Sequence, residues 1–266
     1  MDKVMESLNI RLQQESIKDI LCDYMDKLKA KPKDSDLRSN FIELLCIDGQ
    51  LERADQQLSL LIKQYPEYLV GGNNLRQLIH AAQARADFFA GNATVQLLKG
   101  DRQEFENLVA LNIARCQKSE ADIQQYAGQL ESCRRQSAFM INQHKSDDCR
   151  DLDDSLAGYI ELFGTDGQYY LVPFTDVDRI QFMPVTSLVE HIWRKVNIEV
   201  IDGPSGDAFI PMTYVDSLTD AQKLARETDW VEISGTSVVV GQGQKMWLAG
   251  DSALPLAQCE LMENVA

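Results

Sequence analysis

The sequence lacks the features that mark membrane and secreted proteins. No stretch approaches the roughly 18 consecutive apolar residues of a transmembrane helix, so no membrane span is expected. Residues 1–12 have neither the basic start nor the apolar run of a signal peptide. None of the six cysteines forms a CxxC pair, and we expect reduced, structural thiols in a cytoplasmic protein.

Catalytic and metal-binding motifs are missing as well. The histidines His80, His144 and His191 have no Cys, Asp or Glu partner at metal-ligand spacing. The motifs GxSxG, GxxxxGK[ST] and HExxH do not occur. We therefore expect no metal, no cofactor and no enzymatic activity, and an enzyme with an unrecognised site is the third of three functional hypotheses.

Two segments resemble binding motifs without completing them. Residues 151–155 start like a calcium loop, but Leu156 and Leu162 stand where glycine and a bidentate Glu are required. We interpret this segment as a solvated acidic loop. The segment Gly241–Met246 contains GxG but no third glycine at the start of a helix. It therefore predicts a tight β-turn rather than a dinucleotide site.

The net charge of −15 is distributed unevenly. Residues 1–145 carry 19 Lys and Arg against 20 Asp and Glu, whereas residues 146–266 carry 7 against 21. Such an acidic second half repels nucleic acid and anionic membranes. Two interpretations stay open: the acidity serves solubility, or it faces a basic partner.

Apolar residues in the first half recur at helical spacing. Gly71 and Gly72 are expected to break the chain between two of the helices, and Ser119 with Asp122 is expected to form a capping box. The predicted helices follow the apolar stripes Ile10–Leu28, Leu37–Leu45, Leu51–Ile62 and Leu75–Phe89, with two more over 102–117 and 119–140.

One repeat stands out in this helical region. Pro32 and Pro66 are separated by 34 residues, the tetratricopeptide (TPR) period. Gly49 falls at the turn between the two helices of the unit, and Ala54 is small where the helices must approach. The pattern predicts a TPR-like helical array over residues 1–145, with a generic helical bundle as the alternative.

Strand patterns begin after the polar segment 144–154, which we interpret as a linker or surface loop. Two alternating runs flank Gly164–Gly167 and predict a β-hairpin. One helix is predicted over Leu218–Thr228, capped by Ser217 and Asp220. The predicted fold class is multidomain α+β, with a TPR-like domain over 1–145 and a mainly antiparallel, acidic α+β domain over 146–266.

The chain resembles the ImpE/SciE family, also called TagJ, which is encoded with bacterial type VI secretion systems. The resemblance rests on segments that occur in the same order and spacing along nearly the whole chain. These segments are Leu44–Leu61, Gly167–Ile180, His191–Val196, Phe209–Tyr214, Ala221–Trp230 and Gly241–Met246.

The resemblance implies a non-enzymatic adaptor of the contractile sheath. It implies binding to the N-terminal helix of the small sheath subunit (TssB/VipA type) and a link to recruitment of the ClpV AAA+ ATPase. A TPR-type scaffold for another regulator or effector, without sheath contact, is the alternative. Mapping the repeat onto the chain predicts partner-binding residues on the first helix of each unit: Ser39, Asn40, Glu43, Asn73, Gln77 and His80.

Overall fold

Helices fill the first half of the chain in a computed structural model that describes residues 3–265, with side chains from residue 8 onward. Helices α2 to α5 pack against their neighbours in chain order, as in a helical array. The array consists of α1 (Lys3–Gln14), α2 (Ile17–Ala30), α3 (Ser35–Ile47), α4 (Leu51–Gln64), α5 (Leu69–Phe89), α6 (Arg102–Gln117) and α7 (Glu120–Cys133).

The predicted repeat unit corresponds to α3 and α4. Gly49 lies in the turn between them with a φ of +79°, a backbone conformation that glycine adopts without strain. Ala54 is fully buried, and Pro66 follows the end of α4. None of the helices within residues 3–265 is long and apolar enough to cross a membrane.

The first apolar stripe and the glycine pair were interpreted incorrectly. Ser16 caps α2 by accepting a hydrogen bond from the Asp19 amide, so the stripe is split between α1 and α2 and Ile10 is 50% exposed. Gly71 and Gly72 lie inside α5 rather than before it. A Cβ atom on Gly72 would come within 2.7 Å of Ile62 Cδ1, so this glycine lets α4 and α5 approach closely.

The predicted capping residues also differ from those observed. The Ser119 hydroxyl donates to the Asp122 carboxylate, 2.7 Å away, and caps no amide of α7. The helix predicted over 218–228 is the short α8 (Asp220–Lys223), whose capping box is formed by Thr219 and Gln222. The prediction failed because a serine followed by an acid also allows a local side-chain contact.

Strands make up the second half, which confirms the predicted α+β class with a helical array followed by a sheet-rich region. The strands are β1 (Gln96–Leu97), β2 (Phe139–Ile141), β3 (His144–Ser146), β4 (Cys149–Asp151), β5 (Tyr159–Gly164), β6 (Tyr169–Pro173), β7 (Val177–Phe182), β8 (Trp193–Val200), β9 (Ser205–Pro211), β10 (Thr228–Glu232), β11 (Val239–Gly243), β12 (Met246–Ala249), β13 (Ser252–Pro255) and β14 (Leu261–Asn264).

The main sheet has the strand order β1-β6-β5-β9-β8-β7-β14-β2-β3. Its neighbours are antiparallel except for β1 and β6. The predicted hairpin over Gly164–Gly167 joins β5 to β6. Strands β1 and β2 come from the region assigned to the helical domain, so the packing of the two halves crosses the predicted boundary at 145.

The two faces of the main sheet are covered differently. Tyr159 and Phe163 on β5 belong to the hydrophobic core that includes the helices. Ile160 and Leu162, the alternate residues, face a second core around Trp247 on β12. This alternation follows from the two-residue period of a strand. The helical array therefore lies against one face of the sheet, and the small sheet β13-β12-β4 lies against the other.

Candidate functional site

Helix α3 carries one of the predicted partner-binding residues to the sheet half. Glu43 accepts a hydrogen bond from the Val189 amide at 2.9 Å, at the start of the short 3₁₀ helix Val189–His191. Burial raises the pKa of Glu43, although this hydrogen bond favours the charged form. Glu43 thus ties α3 to the second half of the chain.

Helix α5 contacts the same half through Gln77. The side-chain amide of Gln77 lies against the turn between β5 and β6, where a Cβ atom on Gly167 would clash with it. Gly167 has a φ of +85°, so glycine serves both the turn and the close contact. The side of the array formed by α3 and α5 is therefore covered by the sheet half.

A buried ion pair lies deeper in this contact. The Nε atom of Arg85 on α5 is 2.6 Å from an oxygen of Glu161 on β5, and a second guanidinium nitrogen donates to the Thr213 carbonyl at 2.9 Å. The Glu161 side chain has no exposed surface. The Tyr169 hydroxyl also donates to this carboxylate at 2.7 Å.

Lys245 extends the pair into a network. Its ammonium group is 2.7 Å from Glu161 and 3.0 Å from Asp151, and the Tyr214 hydroxyl donates to Asp151 at 2.9 Å. The network therefore joins one helix to five separate segments of the second half, namely β4, β5, β6, residues 213–214 and Lys245, and its two cations balance its two carboxylates.

The two carboxylates of the network respond differently to burial. Burial alone would raise the pKa of Glu161, but Arg85 and Lys245 outweigh it and lower that pKa to about 2. Burial raises the pKa of Asp151 despite Lys245. Removing one member of such a network leaves an unpaired buried charge, which is strongly destabilising.

The acidic segment 151–155 is not the solvated loop that we predicted. Asp151 and Asp153 are buried, and Asp153 accepts hydrogen bonds from the Ser155 amide and from the Gly241 amide on β11. The prediction failed because charge was interpreted as exposure, whereas these carboxylates have partners distant in sequence.

The segment Gly241–Met246 likewise does not form the predicted tight β-turn. Its first three residues belong to β11, Gln244 forms an isolated bridge with Thr213, and β12 begins at Met246. A Cβ atom on Gly241 would clash with the Tyr214 ring. Lys245 lies between β11 and β12, and its ammonium group belongs to the buried network. A lone lysine beside apolar strand residues was the signal that sequence reasoning did not use.

A groove on the opposite side of α5 is open to solvent. Arg76 on α5 bonds to Asp55 and Ser59 on α4, at 2.6 and 2.8 Å, and holds the two helices together at one end. The space beyond this bridge has a volume of about 550 Å³, and we call it the α4–α5 groove. It is lined by Leu51, Glu52, Asp55, Gln56, Ile79, His80 and Gln83.

The predicted partner-binding residues thus do not form one surface. His80 and Asn73 are exposed, with His80 on the rim of the α4–α5 groove, whereas Glu43 and Gln77 contact the sheet half. Partner contact by these residues stays a prediction, as it does for two half-buried residues on α3, Ser39 and Asn40.

Comparison with known proteins gives similarities of three kinds. Residues 143–263 match a family model described as ImpE protein. A type VI secretion system accessory component, TagJ of Pseudomonas aeruginosa, is 23% identical over 256 residues, which cover 91% of this chain and 86% of that protein. A crystal structure of a Vibrio parahaemolyticus protein has 42% identity and a TM-score of 0.93, over 97% of each chain.

Proposed function

The chain belongs to the ImpE family, and from this premise we propose that it is a non-enzymatic, cytoplasmic adaptor of a bacterial type VI secretion system. In this proposal it binds the N-terminal helix of the small sheath subunit (TssB/VipA type) and assists recruitment of a ClpV-type ATPase. The similarity to TagJ, a type VI accessory component, supports the system, and the helical array supports a peptide or helix as the partner.

The α4–α5 groove is the observation that carries the proposed contact. Its floor includes the buried side chains of Leu51 and Ile79, while its rim is polar, an arrangement suited to an amphipathic helix. Leu60 on α4 and Val70 on α5 add exposed apolar surface to the same two helices. The side formed by α3 and α5 is covered by the sheet half, so we assign the partner helix to the α4–α5 groove.

Calorimetric titration of the full chain with the small sheath subunit tests the proposed partner. We expect binding by the intact subunit and loss of binding when its N-terminal helix is deleted. Equal affinity for both forms would contradict the proposal. Absence of binding by either form would favour the scaffold without sheath contact.

Substitutions on the two sides of the array test whether the partner helix binds in the α4–α5 groove. Replacing His80 and Gln83 together by Ala should weaken binding about ten-fold or more, a loss of about 1.4 kcal/mol, because both side chains line the groove. Glu43→Gln tests the other predicted surface, because Glu43 faces the sheet half, and with the partner in the α4–α5 groove its replacement should leave affinity unchanged. The reverse pattern would place the partner on the other side of the array.

The ATPase role needs a separate measurement. We expect a ClpV-type ATPase to be retained on immobilised sheath subunit more strongly when the full chain is added. If retention of the ATPase is the same without the chain, the role in ATPase recruitment is rejected, while the proposal that the chain binds the sheath subunit is unaffected.

A further inference from the structure

Strand β10 has an open edge. It pairs with β11 alone, and the register places Trp230 opposite Gly241. The Gln244 amide donates to the Glu227 carbonyl, and the Ile233 amide donates to the Val238 carbonyl. Because main-chain groups alternate in direction along a strand, the amides and carbonyls of Asp229 and Val231 also point toward β11. The amides and carbonyls of residues 228, 230 and 232 point the other way.

No other segment among residues 3–265 pairs with this outer edge. The far side of β11 differs, because the Val239 amide donates to Asp154 and the Gly241 amide donates to Asp153. One side of the two-stranded sheet is therefore closed by the chain itself, while β10 presents unused hydrogen-bonding groups. Such an edge is a template for an added strand.

Apolar surface lies beside the open edge. Val231 and Val240 line a space of about 700 Å³ that reaches to Ile123 on α7 and is flanked by Leu218, which is largely exposed. We call this space the β10 groove. On the opposite face of β10, Trp230 is 41% exposed and its ring contacts Tyr214.

The charges at this edge are carboxylates. Glu227, Asp229 and Glu232 form no ion pair with any Lys or Arg among the described side chains, residues 8–265. Asp229 accepts a hydrogen bond from the Gln222 amide instead. Two cations line the β10 groove, Arg115 and Lys118. Arg115 is paired with Asp216 at 3.0 Å, whereas Lys118 is in no ion pair among the described side chains. That one cation is outnumbered by the carboxylates of β10 and by Glu120, which also lines the groove, so the net charge beside β10 is negative.

We propose that β10 binds an extended segment of a partner protein in which basic and apolar residues alternate. The segment adds to the edge as a strand through the main chain of residues 228, 230 and 232. Its apolar side chains enter the β10 groove beside Val231, and its basic side chains lie on the other face beside Glu232 and Trp230. The two-residue period of a strand separates these two sets.

This surface is separate from the α4–α5 groove, so the proposal does not depend on the sheath contact. A second copy of the chain fits the edge less well. Edge-to-edge pairing of two copies would bring together two halves that each carry 21 acidic against 7 basic residues. A basic strand is attracted by this charge, with or without the apolar contacts.

A synthetic peptide of alternating Lys and Val is the probe, added to the full chain and followed by calorimetry and tryptophan fluorescence. We expect saturable binding that weakens as salt rises, because screening reduces the attraction. A peptide of alternating Glu and Val should not bind. Methylating alternate amides along one edge of the Lys–Val peptide should abolish binding only for the edge that faces β10. Equal binding by both methylated forms would overturn strand addition.

Two substitutions at one position complete the test. Glu232→Pro removes an outward amide and leaves the bonds to β11 in place, so we expect about ten-fold weaker binding or more. Glu232→Gln keeps that amide and should mainly reduce the salt dependence. Thermal melting checks that both variants are folded, and the methylated peptides test the unaltered chain if Glu232→Pro is not. Unchanged binding by folded Glu232→Pro, or a dimer of the unaltered chain that Glu232→Pro disrupts, would overturn the proposal.

Discussion

The side of the helical array that packs on the sheet and the side that is open to solvent use the same helix, α5, but hold charge differently. Arg85 pairs with Glu161, and their side chains are 9% and 0% exposed. Arg76 pairs with Asp55, and theirs are 26% and 35% exposed. A partner can displace the solvated pair at a small cost in free energy. Separating the buried pair would leave unpaired charges inside the protein, so this pair holds the two halves in one arrangement.

Separating the two halves should have the largest effect. In a fragment of residues 1–145, the apolar surface of the array that packs against Tyr159, Phe163 and Trp193 would be exposed to solvent, because these three residues share its hydrophobic core. We expect this fragment to lose cooperative thermal unfolding and to bind a hydrophobic dye, in contrast to the full chain. A sharp transition at the melting temperature of the full chain would show that the array folds independently.

Breaking the buried pair should have the next largest effect. Arg85→Met leaves the Glu161 carboxylate buried with Lys245 alone, and we expect a loss of about 3–5 kcal/mol in the free energy of unfolding. Arg76→Met on the same helix is the matched control, with an expected loss of about 1 kcal/mol or less. Urea denaturation measures both, and similar losses would remove the contrast between the two sides.

The contact between α6 and the sheet predicts a smaller, pH-dependent effect. Burial raises the pKa of Glu104 from 4.5 to about 6. The folded state therefore holds this proton more tightly than the unfolded state, and the resulting stability is present below about pH 4.5 and lost as the pH rises through 6. Glu104→Gln should raise stability at pH 7.5 by about 1–2 kcal/mol and bring no gain at pH 4.

Denaturation at the two pH values tests this expectation. Glu106→Gln is the control, because Glu106 lies on the exposed side of α6 in a pair with Arg102 and should change stability little. A destabilised Glu104→Gln at pH 7.5 would mean that the charged form makes a favourable contact.

The adjacent glycines of α5 should give the smallest effects, of opposite sign. A Cβ atom on Gly71 meets nothing within 4 Å, so Gly71→Ala should stabilise the chain by about 0.5–1 kcal/mol through helix propensity. A Cβ atom on Gly72 meets Ile62 at 2.7 Å, so Gly72→Ala should destabilise it by about 1 kcal/mol. Thermal melting of both variants measures the difference, and equal shifts would show that α4 can move away from α5.

The acidic second half illustrates what charge patterns leave open. Composition established that it carries few cations, but not which carboxylates are buried. Asp151 and Asp153 are inside the fold, whereas Asp229 and Glu232 lie at an open edge. Burial of the first two depends on partners such as Lys245 and the Gly241 amide, which the chain brings from about 90 residues away.

The sequence by itself determined the helix pair α3–α4, the β5–β6 hairpin and the α+β class, because apolar periodicity, turn glycines and prolines act within a few residues. Only the tertiary structure decided which side of the array stays accessible. Glu43 and His80 both occur as polar residues on amphipathic helices, yet one hydrogen-bonds to Val189 and the other lines a groove that is open to solvent. That difference depends on where the sheet packs, a non-local arrangement that no period along the chain encodes.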